Sequence, residues 1–488
     1  MSAVNRSVIG SISAEEANRL PRCWQKKSRG NCAGLLHAAA TRMLPPPARP
    51  VPGFGRPVAN HSAPDERRMT VPSTSAVGDL VRINAIAAGG DGVGRLADGR
   101  ALFVPRTAAG DLIEPIGLDI RARFARAREA RIVEPGPHRT EPRCRHYQRD
   151  RCGGCQLQHL DAEGQREVRS AIVGDALRRI GHLQIANPEL EPAPSDWGYR
   201  TKLTLAVKGR TIGLHQVGSP ERIFNLDRCE ITAAPLNELW AALSPHRALL
   251  PSNAERVVLR LAREGTRHLL VECGPGPVWT QAAELFSALL AAGQRTTIWW
   301  QPPEGAARVL AGSPDAYPAA VFEQVHPAMG DRVRSYAVDA LGSLRDRRVW
   351  DLYAGIGETT SLLLEGGAMV ESVERDHRAV GLARPADPAR VRQHVGAAEE
   401  MVSRLGPADL VITNPPRTGM DARVIEGIRG ATPDRVVYIS CDPATLARDL
   451  SRLLAPGLAN PMRLSALRAF DLFPQTAHVE TVVVLEAA

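Results

Sequence analysis

Cys441 stands where an apolar run, Val437-Tyr438-Ile439-Ser440, gives way to Asp442-Pro443 and a helical pattern. That order reads as a strand feeding a helix N-terminus, with Asp442 as cap and Pro443 in the first turn. Unpaired amides and the positive end of the helix dipole favour thiolate over thiol at such a place, which makes the sulfur a nucleophile. Taken alone, the same residue also fits a small, inert core thiol. Further on, Glu480 in DLFPQTAHVETVVVLE comes just before a last apolar strand. A carboxylate there serves as a general base if it points back over a cleft, and otherwise reads as a solvated acid at a strand start.

Two other groups of residues carry chemistry. Asp351-Leu-Tyr-Ala-Gly355-Ile-Gly357 closes one strand with a glycine turn, and Glu374 ends the next. An acid at that place accepts hydrogen bonds from two ribose hydroxyls, and the turn lacks the third glycine of a dinucleotide fingerprint, which favours S-adenosylmethionine over NAD. Asn414-Pro415-Pro416-Arg417 sets a polar side chain and a rigid turn at the carboxyl edge of another strand, where ligands bind in such sheets. In CRHYQRDRCGGCQLQHL, Cys144, Cys152 and Cys155 bring three thiols close in sequence, two of them in a CxxC around glycines that let the backbone fold round a metal. Four thiolates are the usual complement of tetrahedral zinc or an iron–sulfur cluster. Cys229 is the first candidate for the fourth, Cys273 the second, and His146 a local substitute.

The elements that must position these groups follow from pattern. After residue 321 the rhythm is strand, glycine loop, helix, repeated: strands are expected at 348–352, 368–373, 390–395, 409–413, 435–440, near Leu464 and at 482–485. This is a doubly wound α/β sheet. Residues 69–135 show short strands broken by glycine, as in a small β-barrel, with Ile120, Ala122 and Phe124 read as one face of a strand and Arg121 and Arg123 as the other. Residues 136–184 hold the cysteine motif and a linking helix over 160–185. Residues 185–320 read as a central α+β domain, in which 197–231 alternates like an antiparallel sheet and Trp299-Trp300 is either a base-stacking platform or a buried pair.

Composition bounds the rest. The 488 residues carry 61 Lys+Arg and 53 Asp+Glu, but residues 1–68 alone hold 11 of the bases and 4 of the acids, leaving 50 and 49. That Pro/Ala/Arg-rich stretch is expected to be disordered, with Met69 as the expected start. The body is therefore near neutral, and only local clusters can favour RNA. Between Asp119 and Arg151 ten arginines face five acids, a stripe that suits phosphates or a solvated strand face. No window reads as a membrane span, so a cytoplasmic enzyme, monomeric and without a membrane partner, is expected.

Carbon 5 of uracil is too weak a nucleophile to take a methyl group unaided. Addition of a thiolate at carbon 6 makes carbon 5 an enolate carbon, and a base must then remove its proton. The base must also leave its stack to reach the sulfur. Over residues 77–488 the chain resembles the RNA uracil-5-methyltransferases in its barrel, CGGCQLQHL, FEQVHP (Phe322–Pro327), DLYAGIG, NPPRTG, SCDPATLARDL and DLFPQTAHVE. The barrel is similar to the TRAM module, an OB-like RNA-binding fold. The resemblance implies a Rossmann-like class I methyltransferase domain behind the barrel and the α+β domain, and a [4Fe-4S] cluster on Cys144, Cys152, Cys155 and Cys229. It also implies S-adenosylmethionine held by Gln324, Tyr353, Gly355, Gly357, Glu374 and Asn414, with Cys441 as nucleophile and Glu480 as base. Members with both barrel and cluster are similar to enzymes of 23S rRNA, which is favoured over tRNA; the alternatives are a tRNA uracil-5-methyltransferase and an RNA-binding scaffold with a decayed donor site. This chain departs from the family pattern at His326, Glu358, Ala397 and Asn414, and has seven residues between Cys144 and Cys152 where five are common.

Overall fold

The structure, a computed structural model, describes residues 80–313, 324–385, 387–457 and 461–488. The expectations for residues 1–68 and for Met69, and the Phe322 end of its motif, lie outside them.

Three sheets organise the described chain. The first orders its strands Val81–Arg82, Leu112–Ile120, Phe124–Glu134, Ala101–Val104, Gly92–Arg95 and Ala85–Ile86. Its two edge strands are consecutive pieces of one stretch: Ile83 N–H donates to Asp111 on one side and Asn84 N–H to Val93 on the other. The sheet therefore closes on itself around Val81, Ile83, Leu102, Val104, Ile113 and Ala125. One expectation fails here. Residues 121–123 are the turn of a hairpin rather than the middle of a strand; Ile120 pairs with Ala125 across it and is exposed. The apparent alternation ran across a turn, because period-two patterning does not mark where a chain reverses.

The second sheet begins with the meander Lys202–Lys208, Thr211–Gln216 and Ser219–Asn225 and continues through Ala254–Leu261, Arg267–Cys273, Thr296–Gln301 and Arg308–Ala311. Helices Ala234–Leu243 and Ala282–Ala291 pack Leu236, Leu239, Trp240, Leu285 and Leu289 onto Leu203, Leu205, Val257, Leu259, Leu269 and Val271. Trp299 and Trp300 are both buried, so neither offers a stacking face.

The third sheet runs, edge to edge, Val391–Val395, Met369–Glu374, Arg348–Leu352, Leu410–Thr413, Arg435–Ser440, Glu480–Ala487, Met462–Phe470 and Glu189–Glu191. Its first five strands are parallel, each fed by a helix or helical turn, and Glu480–Ala487 inserts antiparallel beside Arg435–Ser440. Near-continuous apolar strands such as Leu410–Thr413, buried throughout, are what a sheet covered on both faces requires. This is the Rossmann-like arrangement expected.

The segment read as a linker does more than link. Helix Ala162–Arg179, capped by the Asp161 side chain on Gly164 N–H, sends Val173 and Leu177 into the core of the third sheet beside Leu446, Leu450 and Leu453 of helix Pro443–Leu453. Glu189–Glu191, placed by sequence in the central domain, pairs with Arg468–Phe470 at that sheet's edge. Leu177→Ala should therefore lower global stability by about 2–5 kcal/mol, measured by urea unfolding. A loss below about 0.5 kcal/mol would place the helix outside the cooperative core.

Candidate active site

Register decides where the nucleophile candidate stands. The antiparallel pairing of Arg435–Ser440 with Glu480–Ala487 ends with Ser440 opposite Thr481. One step further, Cys441 leaves its strand opposite Glu480, and facing residues of an antiparallel pair share a side of the sheet. Both line one cavity of about 1010 Å³, together with Gln324, Tyr353, Gly355, Glu374, Asn414 and Arg417. Gly357 does not line it. That glycine has φ +83° and begins helix Glu358–Glu365, its N–H donating to Ala354, so it bends the turn that Gly355 presents.

The loop after Arg348–Leu352 is anchored to its neighbour. Gly355 N–H donates to Glu374 Oε2 at 2.9 Å and Asp376 N–H to Oε1 at 2.8 Å, which fixes the carboxylate at the cavity wall and leaves each oxygen further acceptor capacity. Below it, Asp351 is buried, accepts the Thr360 hydroxyl at 2.5 Å, and has its carboxyl pushed up to about 6 by burial. The residue after Gln324 is tied to the start of the second sheet: Thr201, just before Lys202–Lys208, donates its N–H to Val325 O at 2.8 Å. Glu358, in the same wall, pairs with Arg263 at 2.8 Å and Arg334 at 3.1 Å.

The electrostatics of Cys441 overturn one expectation. Asp442 caps the following helix by accepting from Ala444 and Thr445 N–H at 3.1 and 2.9 Å, so a carboxylate already takes the amides that were to favour thiolate. Burial and the neighbouring Glu480 push the Cys441 thiol up, and Arg417 pulls it back down. Glu480 is 2% exposed, not a solvated acid; burial lifts its carboxyl to about 8 and Arg417 opposes that lift. Arg417 is the residue that sequence reasoning missed, although it lies in NPPR at an edge already marked for ligands. Its backbone O accepts from the Thr445 hydroxyl at 3.1 Å.

The four cysteines meet elsewhere. Cys144, Cys152, Cys155 and Cys229 line a second cavity of about 160 Å³, which shares Arg200 with the first. The longer spacing after Cys144 is taken up by helix Arg145–Arg149 and by Arg151 at φ +53°. His146 is not a substitute ligand, since its Nδ1 meets Asp150 at 2.6 Å and its Nε2 accepts Asp227 N–H at 3.2 Å. Cys273 does not line that cavity and is buried in the core of the second sheet. Burial pushes the Cys152 thiol up to about 12 and raises Cys155 and Cys229 as well, with the other cysteines adding to each. Among the described residues no three His, Cys, Asp or Glu groups form a set that could hold a metal ion.

Comparison with known proteins decides the class of this arrangement. Residues 407–488 match the family model described as tRNA (Uracil-5-)-methyltransferase. Proteins named 23S rRNA (uracil(1939)-C(5))-methyltransferase RlmD are 30% identical in Thiobacillus denitrificans, over 81% of this chain and 97% of theirs, and in Pseudomonas putida, over 84% and 94%. This chain belongs to the RNA uracil-5-methyltransferases. It is an S-adenosylmethionine-dependent enzyme of that family, with RNA as substrate. A protein of Protochlamydia amoebophila named an uncharacterized RNA methyltransferase is 30% identical over 83% of this chain and 96% of its own. The fold is shared with the tRNA (uracil-54, C5)-methyltransferase of Pyrococcus abyssi, solved with S-adenosyl-L-homocysteine, at TM-score 0.63 and 20% identity over 83% of this chain and 100% of that one. Among the described residues no helix is long and apolar enough to cross a membrane.

A carboxyl whose folded-state pKa is raised holds its proton more tightly than the unfolded chain does. Its stabilising contribution is complete below about 4.5 and is lost progressively as pH climbs toward 8. Glu480→Gln removes that loss, so the variant should melt above the wild type at pH 8 and converge with it near pH 4, by calorimetry. Equal melting at pH 8 would contradict the burial described.

Proposed function

We propose that this enzyme forms 5-methyluridine in 23S rRNA, with Cys441 as nucleophile and Glu480 as base. The observation that carries the reading is the register that sets the two side by side in one cavity. Cys441 Sγ bonds to carbon 6 of uracil while the ring's double-bond electrons move to carbon 5. S-Adenosylmethionine supplies the electrophilic methyl group, its carbon–sulfur bond electrons returning to sulfur as carbon 5 is alkylated. Glu480 then takes the proton left on carbon 5, and the electrons of that C–H bond restore the double bond as the sulfur departs from carbon 6. Arg417, the positive charge that lowers both groups, favours the thiolate and carboxylate that these steps need. Glu374, whose carboxylate lines the cavity with acceptor capacity left, would take the donor's ribose; Gln324, Tyr353, Gly355 and Asn414 would complete the donor pocket.

The preference for 23S rRNA rests on relatives of that named activity matched along nearly their whole length. The closed barrel, with Arg121, Arg123, Arg128 and Arg131 exposed on its long hairpin, would serve as a TRAM-like module docking RNA phosphates. The four cysteines, which line one small cavity, would hold the [4Fe-4S] cluster that the resemblance implies, four thiolates being the usual complement of such a cluster. Nothing in the methyl transfer consumes electrons, so its duty would be structural.

RNA containing 5-fluorouridine tests the chemistry, because fluorine at carbon 5 cannot be removed as a proton. With donor present, a 23S fragment carrying it should give a denaturation-resistant protein–RNA adduct and a tRNA transcript should not; Cys441→Ser should give none. An adduct on tRNA alone would move the substrate, and no adduct on either would sink the mechanism. Anaerobically purified protein should contain about four irons and four acid-labile sulfides per chain, and Cys155→Ser markedly fewer. Stoichiometric zinc without sulfide would overturn the cluster.

A further inference from the structure

The segment Asp471–Val479 joins Met462–Phe470 to the strand that starts with Glu480, and it turns on Gln475, a non-glycine residue at φ +71°. Left-handed backbone at such a residue costs about 1–2 kcal/mol, so something must hold it. The holding groups come from far earlier in the chain. Gln156 and Leu157, which directly follow Cys155, donate both backbone N–H groups to Gln475 O at 3.1 and 3.0 Å. Gln165 and Gln475 bond reciprocally: Gln475 N–H donates to Gln165 Oε1 at 3.0 Å, and Gln165 Nε2 donates to Gln475 Oε1 at 2.9 Å. Arg169 donates to Thr476 O at 3.1 Å and to Asp471 Oδ2 at 2.6 Å, and Tyr199 OH donates to Pro474 O at 2.9 Å.

The Arg169 and Asp471 side chains are 1% and 3% exposed. A buried ion pair adds little net stability over apolar residues of the same volume, so what this one supplies is geometry. It fixes the start of the loop while the Gln165–Gln475 pair fixes its turn. Glu480 follows a few residues on, and a base displaced by about 1 Å loses roughly 100-fold in rate.

We propose that Arg169 and Gln475 are positioning residues for Glu480, seating its loop on the stretch after Cys155 and on helix Ala162–Arg179, so that their loss arrests the reaction after methyl transfer. The proposal rests on the assignment of Cys441 and Glu480 made above. It separates two halves of the catalytic cycle: Phe473 of this segment reaches the cavity, but Cys441, Tyr353, Glu374 and Asn414 hang on other strands and loops, whereas proton removal depends on this seat. If the base is misplaced, the carbon 5 proton stays, the double bond cannot re-form, and the methylated nucleotide remains bonded to sulfur.

The test uses the full-length holoenzyme, ordinary uridine-containing 23S RNA and the methyl donor. Wild type should turn over with little adduct, and Glu480→Gln should accumulate a denaturation-resistant adduct carrying the methyl label. Arg169→Met and Gln475→Gly should accumulate the same labelled adduct, with turnover down roughly 10- to 100-fold and donor affinity within about twofold of wild type. Glycine accepts the left-handed conformation and keeps the backbone bonds to Gln156, Leu157 and Gln165, so Gln475→Gly removes the Gln165 Nε2 bond to the side chain alone and tests that contact even if Arg169→Met fails to fold. Wild-type turnover in folded Gln475→Gly, or loss of turnover with no labelled adduct while Glu480→Gln accumulates it, overturns the seating role. Absence of adduct in Glu480→Gln itself overturns instead the base assignment beneath it.

Discussion

The pairing of Arg435–Ser440 with Glu480–Ala487 is the contact on which the proposed chemistry depends. These strands are antiparallel neighbours inside a sheet whose other large strands on that side are parallel, and their last pair, Ser440 with Thr481, aims the next residue of each chain at the same cavity. A one-residue slip would turn Glu480 to the opposite face. What prevents it is burial on both sides: Val436, Tyr438, Val483 and Leu485 belong to one core, while Val437, Ile439, Val482 and Val484 belong to the other. The site is thus held by side chains that take no part in it.

Burial also sets the charge state. The same packing that locks the register removes water from Glu480 and partly from Cys441, which favours the neutral acid and the thiol. Arg417 opposes that tendency at both residues. The balance differs from a thiol activated by a helix terminus, because Asp442 has already taken the terminal amides. A thiol kept neutral by burial is a poorer nucleophile than a thiolate, so under the proposed mechanism Arg417 is the group on hand to favour the reactive form of Cys441.

Much of this was legible in the sequence, for identifiable reasons. Strands Arg348–Leu352 and Arg435–Ser440 fall where their apolar runs end in Gly or Asp-Pro punctuation, and the cavity residues lie at strand ends, where such folds bind ligands. Less visible were features set by tertiary contact. The hairpin turn at 121–123 carries no glycine or proline to mark it. Glu189–Glu191 is too short to show a period, and its partner strand lies far along the chain. Glu480 reads as a solvated acid until the strands on either side of it are known, and Arg417 reads as one arginine among many until its neighbours are placed. Cys229, the first candidate to join the other three cysteines, lines their cavity, whereas nothing in the sequence sets Cys273 and His146 aside; their surroundings in the fold do that.

Helix Ala162–Arg179 and strand Glu189–Glu191 precede the seven-stranded sheet in the chain but serve the eight-stranded one. The middle sheet is in effect an insertion within the catalytic unit, entered and left through it. Dissection of the enzyme into modules by truncation must respect this. A fragment begun at residue 321 would bare the Leu446–Leu450 flank of its own helix and the outer edge of Met462–Phe470, whereas excising residues between Glu191 and Gln324 and splicing the flanks would keep every strand of the catalytic sheet on one polypeptide.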